Sequence, residues 1–208
     1  ASRKLASYFL SVERKEMESF NNYLRQFPHY TSAVFDAVQP YLSIKEIEAG
    51  EYFLSHGQTC RHIAFIEKGM FRLFYLNDGK EITTCFCREQ TITTSYSSLI
   101  TQKESDLAIQ ALENSKLIVL SYDSLQKLYQ EDLFWQQVGR IAAENELITT
   151  ECHRRFLSDL SATERYQQML QEDGELLQRI PLNHLSTYLQ VAPETLSRIR
   201  NKLARPHT

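Results

Sequence analysis

The chain has 208 residues, of which 42% are hydrophobic and 24% charged, an ordinary composition for a soluble globular chain with room for one large or two small domains. This balance excludes an extended disordered chain, and no apolar run approaches the roughly 20 residues a membrane-spanning helix needs. The formal net charge of -3 gives no sign of nucleic acid when averaged over the chain, but the charge is unevenly spread. From Leu176 to Thr208 the basic residues Arg179, Arg198, Arg200, Lys202 and Arg205 face a single acid, Glu194, so the last segment is a small basic module attached to an acidic remainder.

The run Leu5 to Val12, followed by Glu13-Arg14-Lys15-Glu16, lacks a small-residue cleavage site and makes a poor signal peptide. Met17 opens a fresh amphipathic pattern and is a candidate natural start, with residues 1–16 an added or alternative extension; the domain division sets residues 1–20 apart as the N-terminal extension. Tyr23, Leu24, Phe27, Val34, Phe35, Val38 and Leu42 then suggest one or two short helices interrupted at Pro28. From Ile44 to Leu120 short alternating segments are separated by Gly57, Gly69 and the hairpin signal Asn77-Asp78-Gly79. Phe71, Leu73 and Tyr75 alternate with Met70, Arg72 and Phe74, and Cys85 and Cys87 share one strand face. Many short strands at this spacing predict an antiparallel barrel or jelly roll over residues 21–124.

Cys60, Cys85, Cys87 and Cys152 are too scattered for a disulfide framework and contain no C-x-x-C pair. Reduced thiols in a cytoplasmic protein are expected, with no metal site and no cofactor. His56 and His62 raise a metal-dependent, cupin-like jelly-roll enzyme as the alternative class, but no H-x-H pair accompanies them and each reads better as a surface loop residue. Arg72 and Arg88 read as solvated, outward-facing arginines, and strand cysteines as inert packing residues.

Helical periodicity returns after Leu120 and is sustained from Phe134. Phe134, Val138, Ile141, Asn145, Ile148 and Cys152 step by alternate fours and threes, a heptad seam on a helix of roughly 25 residues, about 37 Å at 1.5 Å per residue. A narrow seam of that length predicts a parallel homodimer over residues 125–158, with Asn145 at an a position fixing the register; packing on the chain's own domain is the competing reading. Ser161 or Thr163 can cap a helix through about Glu172, Gly174 breaks it, and Pro181 starts the next at Leu182, Leu185 and Leu189. A three-residue connection leads to a last helix opened by Pro193. Leu196, Ile199 and Leu203 must face a core, which leaves Glu194, Ser197, Arg198 and Asn201 on the opposite side. Two short helices so tightly joined predict a helix-turn-helix over residues 159–208.

Gly50-Glu51, Gly57, "FIEKGMFRLF" and "NDGKE" in the roll, with "ERY", "RIPLNHLSTYL" and "ETLSRIRNKL" after it, resemble the Crp/Fnr superfamily of bacterial transcription regulators from Asn21 nearly to the end of the chain. The resemblance implies an α+β fold of N-terminal beta-roll, long dimerisation helix and C-terminal winged helix-turn-helix. It implies a non-enzymatic homodimer on near-palindromic double-stranded DNA, with RNA polymerase a candidate partner. The family pattern E-x-x-S-R places base contacts on Glu194, Ser197 and Arg198; with Thr195, Arg200 and Lys202 these form the expected DNA-binding set. Val138, Ile141, Asn145, Ile148 and Cys152 form the expected dimer interface.

Two departures stand out. The turn position that usually carries Gly is Gln190 and the usual N-cap Ser or Thr is Ala192, each costing about 1 kcal/mol. Relatives that bind cyclic AMP hold it with Arg-Ser and Gly-Glu pairs. Here the corresponding stretch places Thr94-Ser95 and Ser105 at those positions, with Glu104 and Asp106 alongside. Carboxylates there repel a phosphate and offer no guanidinium fork, so cyclic AMP is not expected to bind; the residues identify no other effector pocket. The short tail after Lys202 leaves little room for a wing there, so a wing before the last helix, or none, is expected.

Overall fold

The computed structural model describes residues 16–203. The readings that fall on residues 1–15 and 204–208, including most of the N-terminal extension and Arg205, lie outside them. The chain divides into two compact units, one of residues 16–73 with 86–140 and one of 74–85 with 141–203.

The first unit begins with two short helices, α1 (Glu18–Leu24) and α2 (Ser32–Val38), separated around Pro28 as the sequence suggests. A 3-10 turn leads into β1 (Leu42–Ile47), followed by β2 (Tyr52–Leu54), β3 (His62–Lys68), β4 (Phe71–Asn77), β5 (Lys80–Cys87) and β6 (Ile92–Thr93). A short helix, α3 (Tyr96–Thr101), precedes β7 (Leu107–Ala111) and β8 (Ser115–Ser121). The strands form two four-stranded sheets, β1-β8-β3-β6 and β2-β7-β4-β5. Within the first sheet β8 pairs antiparallel with both β1 and β3, with Leu120 opposite Leu42 on one side and Ile63 on the other.

The alternation expected of half-exposed strands breaks down where both sheet faces are covered. Ala64, Phe65 and Ile66 are all buried, as are Leu117 to Leu120. Phe65, Ile118 and Leu120 meet Met17, Phe20, Leu24, Phe35, Val38 and Trp135 in one cluster, so α1 and α2 seal one sheet face while Ala64, Ile66 and Leu117 fall on the other. Met17 and Phe20, from the expected extension, thus belong to this core. Each large apolar side chain buried there contributes about 1.5 to 3 kcal/mol. Gly69 has φ +101, and a Cβ on it would stand 2.1 Å from Ser115 Oγ, so only Gly lets β3 turn into β4 against β8. At the β4–β5 turn Asp78 and Gly79 both have positive φ (50 and 75), the two-residue turn that the Asn-Asp-Gly signal predicts.

Arg72 departs from its expected solvated place: it is only 2% exposed, and its Nε and Nη2 donate to Gln110 Oε1 at 2.9 and 2.6 Å. The cause is that both faces of β4 are covered here: Met70, just before the strand, and Phe71 to Phe74 within it are all buried. His56 is exposed in a loop, whereas His62 opens β3 and so is not a loop residue; burial, then Lys45 and Arg61, lower its pKa. Cys85 and Cys87 are half-buried and take part in no disulfide.

Helix α4 (Tyr122–Glu131) starts where Ser121 Oγ accepts from Ser124 N. Helix α5 (Leu133–Asp159) runs 27 residues, about 40 Å at 1.5 Å per residue, and crosses from the first unit into the second. Asp132 Oδ1 accepts from Phe134 N and caps its start.

The second unit holds the β4–β5 turn, the rest of α5 and three more helices. Helix α6 (Ala162–Arg179) opens on a capping box in which Ser161 and Glu164 each bond the other's backbone. Its break lies at Asp173 (φ -157, ψ 77) rather than at Gly174, because Asp173 Oδ1 accepts from Leu176 N and caps the second half. Helices α7 (Leu182–Tyr188) and α8 (Pro193–Leu203) follow. Four residues join them rather than three, since Leu189 ends α7 without being part of it. Among the described residues no strand follows β8, so no wing precedes α8.

Candidate nucleic-acid interface

The last helix shows two chemically distinct sides. Leu196 and Ile199 are buried (0% and 8% exposed) while Glu194, Thr195, Ser197, Arg198, Arg200, Asn201 and Lys202 are exposed. At 3.6 residues per turn Glu194, Ser197, Arg198 and Asn201 share the outermost strip. Thr195 and Lys202 flank it on one side and Arg200 on the other. Glu194 in the first turn and Arg200 and Lys202 in the last complement the helix dipole. The structure therefore brings together all six residues expected to touch DNA, anchored through Leu196 and Ile199.

Helix α7 braces α8 by direct packing, and Leu185 and Leu189 are buried at 1% and 0% exposure. The link between them is a Schellman turn. Val191 N donates to Ser186 O at 3.0 Å and Gln190 N to Thr187 O at 3.1 Å, with Gln190 left-handed at φ 52. The conformation usually given to Gly is thus kept by a residue with a Cβ. Leu196 N donates to Ala192 O, so α8 starts after Ala192 without a side-chain oxygen to cap it.

The expected dimer seam divides. Phe134 is buried in the first unit's own core and Val138 packs against it. Ile141 is half-buried, whereas Asn145, Ile148 and Cys152 are exposed. Ile148 and its neighbour Leu147, which sequence periodicity did not single out, are 58% and 62% exposed. Further along, the rings of His153 and Phe156 meet Tyr188 of α7 at 5.0 and 6.0 Å. Burial lowers the His153 pKa and pushes the Tyr188 phenol up to about 12, with Cys85 and Glu172 adding to the latter. This ring cluster was not visible in the sequence.

In the first unit, the stretch corresponding to a cyclic-nucleotide cassette satisfies its own polar groups. Ser105 Oγ donates to Ser95 Oγ or Leu107 O, each 2.8 Å away, and accepts from Leu107 N. Ser98 Oγ donates to Lys103 O at 2.5 Å and accepts from Cys60 N at 2.9 Å. Thr93 Oγ1 is buried without a partner among the described residues, but one neutral hydroxyl cannot balance a phosphate charge. Glu104 and Asp106 are exposed on either side of Ser105. Among the described residues no group of three or more His, Cys, Asp or Glu could hold a metal ion, and no helix is long and apolar enough to cross a membrane.

Residues 44–132 match the cyclic nucleotide-binding domain family. No curated protein matches the chain by sequence. Among solved structures, the chain is similar to FixK2 from Bradyrhizobium japonicum, at 19% identity and TM-score 0.70 over 78% of this chain and 84% of that one. A crp/fnr-family protein from Eubacterium rectale is similar at 15% identity and TM-score 0.69, over 88% of this chain and 87% of that one. The Catabolite Activator Protein of Thermus thermophilus is similar at 19% identity and TM-score 0.56, over 88% and 90%. The polar groups around Ser95 and Ser105 do not fit the nucleotide for which the matched domain family is named. Residues 44–132 thus resemble the cyclic nucleotide-binding domain family, and the chain that carries them is similar in fold to FixK2, the crp/fnr-family protein and the Catabolite Activator Protein.

Proposed function

We propose that this chain is a homodimeric, sequence-specific DNA-binding transcription regulator, without enzymatic activity, that responds to an effector other than cyclic AMP or to none. The observation that carries the reading is the exposed strip of α8, where an Arg, a Glu, a Ser and an Asn stand together on a helix anchored by Leu196 and Ile199. A major groove admits a helix, and these side chains are the types that read base edges: Arg donates two parallel bonds to guanine O6 and N7, and Glu accepts from a cytosine amino group. Arg200 and Lys202 on the flanks supply charge to phosphates, which adds affinity without sequence information. Exposed Ile148 beside Asn145 and Cys152 supports pairing of two α5 helices in parallel, which presents two copies of α8 to two half-sites. Selection from random-sequence duplex DNA tests the whole reading. An enriched near-palindrome with half-sites about 34 Å apart is the expected result. Enrichment of no sequence over background would overturn it.

A further inference from the structure

Thr83 lies in β5, the outer strand of its sheet, yet is only 2% exposed. An outer strand leaves backbone groups without a strand partner, and buried ones must bond elsewhere. Thr83 N donates to Thr187 Oγ1 at 3.3 Å, and the two hydroxyl oxygens are 3.0 Å apart. Thr187 Oγ1 is also 2.9 Å from His184 O. A hydroxyl has one proton and two acceptor lone pairs. Thr187 therefore accepts Thr83 N–H and donates its one proton either to Thr83 Oγ1 or to His184 O. The next residue, Tyr188, sets its ring at a tilt against His153 and Phe156 of α5, 5.0 and 6.0 Å away. Consecutive residues at the end of α7 therefore tie it to the hairpin and to the long helix, and α7 packs on α8.

We propose that Thr83 and Thr187 are positioning residues that fix the angle at which α8 projects from α5, and so set the half-site spacing a dimer accepts. The inference rests on the dimeric DNA-reading function proposed above. Once one α8 is bound, engagement of the second is intramolecular, with an effective concentration governed by the stiffness of the connection. A stiff junction concentrates the second helix at one spacing and excludes others. A loosened junction spreads it over several. Neither threonine lies on the exposed strip of α8, so binding to a lone half-site does not depend on them.

Thr83→Val and Thr187→Val remove the pair from either side, the first without altering the helix-turn-helix. Amide exchange reads the contact itself: the Thr83 amide, protected in the parent, should exchange faster in Thr187→Val, and persistent protection would overturn the contact whatever the DNA results. Binding is then titrated on duplexes carrying two selected half-sites at the preferred spacing, at spacings one base pair shorter and longer, and on a single half-site. Each variant should bind about tenfold more weakly at the preferred spacing, about 1.4 kcal/mol, discriminate less against the altered spacings, and match the parent on the single half-site. An equal loss on the single half-site would show that the hydroxyls serve the helix-turn-helix fold alone. An unchanged spacing preference alongside faster Thr83 exchange would show a contact without that role. Either result overturns the inference while leaving DNA reading intact, whereas absence of binding by the parent would overturn the function itself.

Discussion

Gln190 stands in the left-handed conformation at φ 52, at the position of a Schellman turn where Gly is the usual occupant. For a residue with a Cβ this conformation costs about 1 to 2 kcal/mol, because the Cβ approaches the following carbonyl oxygen. Gln190→Gly removes that strain but gives the unfolded chain more freedom to lose, an offset of about 0.4 to 1 kcal/mol. Gln190 is exposed, so little packing is lost with its side chain. The expected net effect is a stabilisation of about 0.5 to 1 kcal/mol, seen as a rise of about 2 to 8 °C in the transition of the second unit, which holds α7 and α8. Gln190→Val should act in the opposite sense, since a β-branched residue tolerates positive φ worst. Urea unfolding followed through a probe in the second unit measures both; the midpoint should move while the slope stays constant. A Gly variant less stable than the parent, or a Val variant as stable as the Gly one, would refute the left-handed turn.

Gly69→Ala should be severely destabilising, by about 2 to 5 kcal/mol, because its Cβ would meet Ser115 Oγ at 2.1 Å and Cα at 2.9 Å on a backbone with φ +101; equilibrium denaturation of the first unit checks it. Ser161→Ala removes the side chain that accepts Glu164 N, and the start of α6 should lose about 1 kcal/mol by the same measurement in the second unit. Burial lowers the His153 pKa, so below the ordinary histidine value the unfolded chain takes up a proton that the folded chain resists. Stability from this group is therefore complete above about pH 6.5 and lost as pH falls through the depressed value. Unfolding of the second unit at pH 7 and pH 5 should show that loss, and His153→Phe should reduce it; an equal pH dependence in the variant would count against a half-buried imidazole kept neutral by its surroundings.

Features set by local chemistry were legible in the sequence. The Asn77-Asp78-Gly79 turn, the long helix from Leu133 and the apolar spacing of Leu196, Ile199 and Leu203 each follow from a period or a turn residue a few positions long. The cap at Ser161 was equally readable as Ser followed three positions on by Glu, and only the choice between Ser161 and Thr163 was left open. Misreadings arose where distant parts of the chain decide. Arg72 alternates as an outward-facing residue does, but packing buries both faces of β4 up to Phe74, and Gln110, 38 positions away, accepts from its guanidinium. The break in α6 went to Asp173 instead of Gly174 because a side-chain bond outweighed backbone freedom. The Thr83–Thr187 pair, 104 positions apart, leaves no trace in any local pattern. The exposed strip of α8 was legible because a helix eleven residues long with two buried anchors has only one side left to show.

Arg198 is the residue on which the reading of that strip depends most. A guanidinium bonded to guanine O6 and N7 contributes about 1 to 3 kcal/mol of discrimination between bases, whereas a phosphate contact contributes none. The direct measurement is a titration, at one fixed salt concentration, of the parent, Arg198→Ala and Lys202→Ala against the selected palindrome and against duplexes substituted at single base pairs. Arg198→Ala should bind the palindrome more weakly and lose about 5- to 150-fold of its preference at one base-pair position, while Lys202→Ala should weaken binding to all duplexes about equally. A specificity ratio unchanged in Arg198→Ala would contradict the assignment of this face to base reading.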